Sequence, residues 1–328
     1  YGVASGSALF NIHSLKWDDY ALSIAGIDET KLPETVEAEH VEYIPLNTFT
    51  KVKTSEKIPL VIGLFDGASM VYGLTGGRSN IAAVNLGTSA MIRTVVEHPI
   101  IDDINKMRFQ TYYFCRGRWL SGGAINNAGL ALDSIIDMLA SSLGFDKRRL
   151  FDELYMYSFD EASKPITIPL IYSERIPYLK SGVGGSIIGL RAGMKIVDVV
   201  ASCIEGVVML LGTLWEALEE NRISPNSIRL GGKLSGIPFI KRLFANLFNR
   251  IVVLTHILDV SHVGNALLAL TSLKATPVKQ VNEFIDTIVM KESIAPEDDL
   301  VKRYRERYTV FKRYLYTLYS IPSPSNYS

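Results

Sequence analysis

Cysteine is scarce in this sequence of 328 residues, which contains only Cys115 and Cys203. The two cysteines are far apart and form no Cys-x-x-Cys pair, so neither a disulfide framework nor a zinc ribbon is expected. Such low cysteine usage fits a reducing compartment, and the predicted location is the cytoplasm. We also expect no secretory signal, because residues 1–10 lack a basic start and a long apolar run.

An excess of either charge is also missing, since 34 Lys and Arg residues balance 34 Asp and Glu residues. A neutral chain gives no reason to expect nucleic acid or an anionic membrane as a partner. The most apolar long stretch, Ile196–Leu218, carries Asp198 and Glu205. Charges there would be costly in lipid, so a buried helix is predicted rather than a membrane span. Glu205 fits a buried, paired charge better than a catalytic acid.

Several catalytic signatures are absent from the sequence. It has no Gly-x-x-x-x-Gly-Lys-Ser/Thr phosphate loop, no His-Glu-x-x-His pair and no Gly-x-Ser-x-Gly elbow. Its five histidines are scattered, so a histidine metal site is not expected. The glycine-rich segment Gly182–Gly189 follows no convincing strand and is interpreted as a turn.

What the sequence does contain is an alternation of apolar runs and helical patterns, which predicts an α/β fold with a mixed sheet. We expect Ser261 to cap a helix that begins at His262. The predicted strands are Ile58–Leu64, Ile81–Asn85, Ala90–Val96, Ser227–Leu230 and Arg250–Thr255. The predicted helices are Gly67–Tyr72, Ala124–Ser141, Arg191–Glu220, Ile237–Phe248, His262–Leu273 and Asp298–Tyr319.

A polar stretch punctuated by proline, Lys31–Lys57, is typical of a crossing between domains. We therefore predict one domain over residues 1–55 and a second over residues 56–328. The last predicted helix is charged and rich in tyrosine, and we favour packing against the core over a partner surface. Its tyrosines are Tyr304, Tyr308, Tyr314 and Tyr316. The oligomeric state stays open, with a homodimer as one alternative.

Four glycine-bearing turns are predicted at strand ends or helix starts, near Gly67, Gly87, Gly122 and Gly231. Glycine lets backbone N–H groups approach a phosphate without a Cβ in the way, and a following helix adds a favourable dipole. One such turn is weak evidence, because most glycines in turns serve only the turn. Four in one chain, together with an aspartate at a strand end, indicate a phosphate-handling site.

Asp66 lies between Phe65 and Gly67 after an apolar strand pattern. A carboxylate there can accept a proton from a substrate hydroxyl, although a helix N-cap is the commoner use of aspartate. Thr88 can offer its hydroxyl and backbone to a terminal phosphate, but it also fits an ordinary hairpin turn. From these residues alone, both alternatives remain open.

The series of turns resembles the core of the FGGY carbohydrate kinases, in order and spacing, over roughly residues 1–273. The family has the actin-like ATPase (ribonuclease H-like) fold, whose two domains close over ATP and a sugar or polyol. The matching strings are Gly63–Gly67, Asn85–Ala90, Ser121–Gly129, Glu174–Tyr178, Ile188–Leu190, Glu205–Gly206, Leu230–Ser235 and Val263–Ala266.

The resemblance implies a role for each matching position. Asp66 matches the general base that contacts the sugar hydroxyl, while Arg175 and Pro177 match a motif that shapes the domain. The other positions match nucleotide contacts, first along the phosphates and last at the adenosine: Gly87, Thr88, Gly122, Asn126, Gly231, Gly232 and Lys233.

The resemblance also implies cofactors and an additional region. Family members use ATP and Mg²⁺, and an early Asp-x-Gly-Thr turn helps to place the metal. The segment Ala4–Phe10 matches the middle of the family's first domain, so we expect residues 1–55 to be the remnant of a truncated sugar-binding domain. The metal ligands and most sugar contacts are then expected from a region outside this chain.

The activity implied is ATP-dependent phosphorylation of a small sugar or sugar acid. The string Gly122–Asn127 is most similar to gluconokinases, so gluconate is the first expected substrate, before xylulose and glycerol. The alternative to an enzyme is a module that binds a nucleotide and catalyses no reaction.

Overall fold

Among the residues that the structure describes, the strands form one seven-stranded sheet and three two-stranded sheets. The computed structural model describes residues 1–48, 51, 54–157, 164–175, 184–255, 257 and 259–319. Within them the strands are β1 (Phe10–Asn11), β2 (Lys16–Trp17), β3 (Val41–Pro45), β4 (Lys57–Val61), β5 (Ile81–Leu86), β6 (Ala90–Val96), β7 (Gln110–Tyr113), β8 (Trp119–Ile125), β9 (Ile166–Ile168), β10 (Ser186–Ile188), β11 (Ser227–Gly231), β12 (Ile251–Thr255) and β13 (Met290–Ile294).

The large sheet is mixed, as predicted, with the strand order β13-β12-β11-β5-β6-β8-β7. β5, β11 and β12 run parallel to one another, and the remaining pairings are antiparallel. The predicted hairpin is confirmed, with Leu86 of β5 paired to Ala90 of β6. Because the three parallel strands end at Leu86, Gly231 and Thr255, the segments that follow them meet at one side of the sheet, called here the carboxyl edge.

Helices cover both faces of this sheet. They are α1 (Asp19–Ala25), α2 (Asp66–Thr75), α3 (Gly129–Leu143), α4 (Lys147–Tyr155), α5 (Ile196–Glu220), α6 (Pro238–Phe248), α7 (Val260–Ser272), α8 (Val278–Phe284) and α9 (Asp298–Tyr319). Alternation along β5 separates two cores, since Ala82 and Val84 pack with α5 whereas Ala83 packs with α2 and α7.

α5 is the central helix of the larger core. It is long and apolar enough to cross a membrane, but 83% of its most apolar window is buried within the protein. Both carboxylate oxygens of Glu205 accept from the Arg307 guanidinium, at 2.6 and 2.7 Å. The prediction of a buried helix with a paired glutamate is therefore confirmed.

α9 packs on the same core, which confirms the packing role predicted for its tyrosines. Tyr304 and Tyr308 are buried, and Tyr314 and Tyr316 are partly buried against the cluster. The predicted bounds of this helix agree with the structure. The domain boundary after residue 55 stays a prediction.

The helix predicted over Ala124–Ser141 begins too early. Residues up to Ile125 belong to β8, and α3 starts at Gly129. Gly122 lies inside the strand with φ of 151°, and a Cβ there would lie 2.1 Å from the carbonyl oxygen of Ile92. Gly122 permits the close approach of two strands, so the prediction of a turn at this residue was wrong.

Two other predictions need correction. Asp259, rather than Ser261, caps α7, because its carboxylate accepts from the N–H and the hydroxyl of Ser261. The segment Gly182–Gly189 contains the short strand β10 in its described part and is therefore more than a turn.

The backbones of α2 and α7 come into direct contact. A Cβ at Gly264 would lie 1.8 Å from the carbonyl oxygen of Ser69, and one at Gly73 would lie 2.5 Å from that of Val260. Only glycine permits this spacing, which fixes how the two helices start at the carboxyl edge.

Substitution Gly264→Ala should therefore lower the free energy of unfolding by at least about 2 kcal/mol, because the helices must move apart. The measurement is urea unfolding followed by circular dichroism. Gly236→Ala is the matched control, since no atom lies within 4 Å of its Cβ position. It should change the free energy by less than about 0.5 kcal/mol. Equal effects of both substitutions would contradict this account of the helix contact.

Candidate active site

A cavity of about 710 Å³ opens at the carboxyl edge. This volume suits a small-molecule ligand. The start of α2, the β5–β6 hairpin and the segment at residues 2–7 all contribute to its wall. The lining residues used below are Asp66, Gly67, Asn85, Ser89, Arg93 and Arg175.

Asp66 is the first residue of α2, and its side chain is exposed to the cavity. Four residues separate it from β4, which ends at Val61, so the predicted position directly at a strand end was wrong. The N-cap alternative is also wrong, because Phe65 occupies that position. One carboxylate oxygen accepts from the Gly67 N–H at 2.6 Å. The helix dipole favours negative charge there, and the carboxylate remains open to a ligand.

Asn265 of α7 holds the chain just before Asp66. Its Oδ1 accepts from the Leu64 N–H at 2.9 Å, and its Nδ2 donates to the Leu64 carbonyl oxygen at 3.2 Å. Gly63 has φ of 80°, and Asn265 Oδ1 lies 3.2 Å from its Cβ position. This amide clamp therefore fixes a turn that only glycine adopts readily, three residues before the carboxylate.

The turn between β5 and β6 is held from two sides. The Gly87 N–H donates to the Ser89 carbonyl oxygen at 3.0 Å. The N–H groups of Gly129 and Leu130, at the start of α3, donate to the carbonyl oxygens of Gly87 and Thr88 at 3.0 Å each. Thr88 is exposed, and Ser89 lines the cavity that contains Asp66. The turn is thus rigid and lies at the same site as the carboxylate.

The second glycine turn lies beside the first. Gly231 ends β11 and pairs with Asn85. Gly232 has φ of 95°, and a Cβ there would lie 2.5 Å from the Leu86 carbonyl oxygen. Lys233 is exposed and begins a short 3₁₀ helix, Lys233–Gly236. The structure therefore brings the two turns together at the carboxyl edge, while contact of these residues with adenosine stays a prediction.

Gly122 and Asn126 were predicted to contact phosphates, and in the structure both residues interact with other parts of the chain. Gly122 is buried within β8, opposite Arg93. Asn126 donates from Nδ2 to the Ser173 carbonyl oxygen at 3.0 Å and accepts from Arg175 Nε at 2.8 Å. Asn126 thereby orients Arg175 at the cavity wall. Their role toward phosphates stays a prediction.

Glu174 supports that arrangement, because its carboxylate accepts from the N–H groups of Asn126 and Asn127 at 2.5 and 3.0 Å. Arg175 thus lines the cavity as well as bracing the local fold. Pro177 lies outside the described residues.

Arg93 is a site residue that the sequence analysis missed. It lies in the middle of β6, is 8% exposed and lines the cavity. Its guanidinium lies 5.9 Å from the Phe65 ring centroid and 5.3 Å from that of Tyr112. The available signal was a single charge in the otherwise apolar or neutral strand Ala90–Val96.

A metal ligand set is not present in the part of the chain that the structure describes, where no three His, Cys, Asp or Glu side chains are grouped. Asp66 alone does not define a Mg²⁺ site. These residues therefore do not fit an all-protein Mg²⁺ site.

Comparison with known proteins identifies relatives of this chain. The C-terminal domain of the FGGY family of carbohydrate kinases matches residues 82–273, and the N-terminal domain of that family matches residues 1–73. Gluconokinase of Bacillus licheniformis is 27% identical in an alignment of 320 positions that covers 95% of this chain and 62% of that protein. Glycerol kinase 1 of Thermotoga maritima is 28% identical in an alignment of 330 positions that covers 97% of this chain and 63% of that protein.

Similarity extends to solved structures. The ligand-bound xylulose kinase from Lactobacillus acidophilus superposes with a TM-score of 0.84 at 22% identity, over 100% of this chain and 65% of that one. This likeness shows a shared fold. The chain spans just over three fifths of the length of the curated relatives it matches.

The amide clamp gives a prediction that needs no ligand. Asn265→Ala should accelerate hydrogen exchange of the Leu64 amide by about 5- to 100-fold, because a part-buried N–H loses its acceptor. Exchange measured by mass spectrometry on peptides covering residues 60–66 and 119–125 should show the change in the first peptide alone.

Asn246→Ala is the matched control for this experiment. Asn246 also bridges backbone groups, accepting from the Glu297 N–H at 2.7 Å and donating to the Arg242 carbonyl oxygen at 2.8 Å. Its loss should leave exchange at Leu64 unchanged. Unaltered exchange at Leu64 in Asn265→Ala would show that the clamp does not hold this segment.

Proposed function

Because the chain belongs to the FGGY family of carbohydrate kinases, we propose that its cavity is part of a site that phosphorylates a hydroxyl of a sugar or sugar acid with ATP. The predicted actin-like ATPase type of fold is confirmed by the family and by the structural match. One observation carries the proposal: the exposed Asp66 carboxylate lines the same cavity as Ser89 of the Gly87–Ser89 turn.

In the proposed reaction, the acceptor hydroxyl lies against Asp66 and the terminal phosphate lies toward the turn. Asp66 takes the hydroxyl proton as the oxygen attacks phosphorus in line, and the bond from phosphorus to the bridging oxygen of ADP breaks. Most of the acceleration comes from positioning and charge stabilisation, as phosphoryl transfer generally requires. The Asn265 clamp and the rigid hairpin turn supply that positioning from this chain.

The proposed nucleotide contacts follow the carboxyl edge. Gly87 and Thr88 hold the transferring phosphoryl group, while Gly231, Gly232 and Lys233 form the adenosine turn. The adjacency of the two turns supports this assignment, since Gly231 pairs with Asn85 one residue before Leu86. Gly122 and Asn126 are proposed to act through the strand and loop that border the phosphates. Mg²⁺ bound to ATP would neutralise phosphate charge during transfer.

Gluconate is the proposed acceptor, ahead of xylulose and glycerol. The string at Gly122–Asn127 and the match to a gluconokinase support it. The glycerol kinase matches at nearly the same identity, so overall similarity does not choose between them. A panel of the three acceptors with ATP, followed by ADP release, decides the preference.

The candidate of another class is a module that binds nucleotide without catalysis. The observation that favours it is the lack of a grouped metal-ligand set among the residues the structure describes. Calorimetry with ATP and Mg²⁺, followed by a turnover assay on the same sample, separates the two. Binding without turnover on any acceptor supports the module.

Asp66→Asn in the complete natural protein that contains these residues should lower kcat by about 10²- to 10⁴-fold, because the amide cannot take the proton. ATP binding, measured by calorimetry, should be retained, since the substitution keeps the side-chain volume.

Asp259→Asn is the control, because it removes a carboxylate from a helix start at the same edge. Asparagine caps helices as well as aspartate does, so turnover should remain within about threefold of the wild type. Near-normal turnover in Asp66→Asn would refute the role assigned to that carboxylate.

A further inference from the structure

Arg93 is a buried cation at the wall of the cavity. Its Nε is buried and has no hydrogen-bond partner within the described part of the chain. Its neighbours in the sheet are small, since Arg93 pairs with Ala83 on β5 and with Gly122 on β8. A Cβ at Gly122 would lie 2.8 Å from Arg93 Cγ, so the absence of a side chain makes room for the arginine stem.

A second arginine on the same sheet provides an internal comparison. Arg229 of β11 also pairs with Ala83 and has the same 8% exposure. Arg229 donates to the Leu74 carbonyl oxygen at 2.6 Å and forms an ion pair with Asp286. Arg229 therefore has a hydrogen-bond acceptor and a carboxylate partner within the protein. Arg93 Nε has no hydrogen-bond partner among the described residues.

The position of Arg93 makes the lack of a partner costly. A Cβ at Gly67 would lie 2.5 Å from Arg93 Nη1, so the guanidinium lies against the first turn of α2. That is the positive end of the helix dipole, where cations are disfavoured. Burial lowers the pKa of Arg93, and only partial compensation comes from Tyr112 and Asp66. An unpaired buried charge is destabilising, so this place in the fold is suited to an anion.

The rest of the lining also favours an anion. Among the described residues of the cavity wall, the charged ones are Asp66, Arg93 and Arg175, which gives these residues an excess of one positive charge. Arg93 forms no ion pair with Asp66 in the described structure, so Asp66 does not satisfy it. Arg175 is oriented by Asn126 and adds a second cation at the wall.

We propose that Arg93 is a specificity-determining residue that binds the carboxylate of the acceptor, so that the cavity selects sugar acids over neutral sugars and polyols. This inference rests on the proposed function, because it places the acceptor in the cavity beside Asp66. A guanidinium matches a carboxylate through two parallel N–H···O bonds. The flanking Phe65 and Tyr112 rings restrict the orientation of the Arg93 guanidinium.

The location favours the acceptor over the nucleotide as the source of the anion. The backbone of Arg93 is four residues beyond Ser89, a rise of about 13 Å along the strand from the proposed phosphate turn, and its guanidinium lies against Gly67. The residues beside it belong to α2 and β7 rather than to the second glycine turn. The cavity thus has a phosphate side at the turn and a separate cationic side at Arg93.

Equilibrium binding of D-gluconate and D-gluconamide tests the proposal, since the two probes differ only in the charge at one end. The complete natural protein should bind gluconate more tightly than gluconamide by about 10- to 150-fold. Arg93→Met should abolish this preference by weakening gluconate alone, with ATP affinity unchanged. Its Tm should equal or exceed that of the wild type, because an unpaired buried charge is removed.

Arg229→Met is the matched control and should lower Tm while leaving the gluconate preference intact. Arg93→Lys keeps the positive charge but cannot form two parallel N–H···O bonds to a carboxylate. This variant should retain only part of the preference for gluconate over gluconamide. If Arg93→Met does not fold, Arg93→Lys decides, and an undiminished preference in that variant overturns the proposal. Equal weakening of both probes, or weaker ATP binding in Arg93→Met, also overturns it by assigning Arg93 to structure or to phosphate.

The outcome is separable from that of the proposed function. A preference for gluconate that depends on Arg93 supports the inference even if no acceptor is phosphorylated. A kinase that turns over glycerol or xylulose and binds the two probes equally overturns the inference and leaves the proposed function standing.

Discussion

The contact between the backbones of α2 and α7 determines where the candidate site can form. It depends on Gly73 and Gly264, which have no side chains to separate the helices. The contact brings Asn265 within hydrogen-bond distance of Leu64, although 201 residues separate them in the sequence. Asp66 follows two residues later. An exposed carboxylate at the start of a buried helix is thereby given a fixed position relative to the sheet.

Electrostatics at the carboxyl edge follow from the same geometry. The first turn of α2 borders the cavity through Asp66 and Gly67, and Arg93 and Arg175 add positive charge to the cavity wall. Asp66 is the one carboxylate among the described residues that line this cavity. Such an arrangement favours anionic ligands while it keeps one proton acceptor available. Phosphates and a carboxylate-bearing acceptor are both anionic, and the hydroxyl of such an acceptor can give its proton to Asp66.

Much of this fold follows from local sequence patterns. The β5–β6 hairpin is visible because two apolar runs flank a short small-residue turn, and α9 is visible from its helical periodicity. Asp66 and the glycine turns are also recognisable, because their residue types suit phosphate chemistry. The bounds of α3 are not, since Gly122 serves strand packing and its local signal is that of a turn.

The missed features have two causes, an ambiguous local signal in one case and contacts between distant residues in the others. Asp259 displaces Ser261 as a helix cap because both residue types cap well and local sequence does not choose between them. Arg93 owes its space to Ala83 and Gly122, which come from two different strands, and the sequence does not reveal that they are neighbours. The Asn265 clamp likewise exists only once α7 packs against α2.

The most direct test of the central claim is a crystal structure of the complete natural protein with a non-hydrolysable ATP analogue and gluconate. We predict an acceptor hydroxyl about 2.6–3.2 Å from an Asp66 carboxylate oxygen, with the terminal phosphate between that hydroxyl and the Gly87–Ser89 turn. A complex in which the acceptor binds elsewhere, or in which Asp66 faces away from the phosphate, would contradict it.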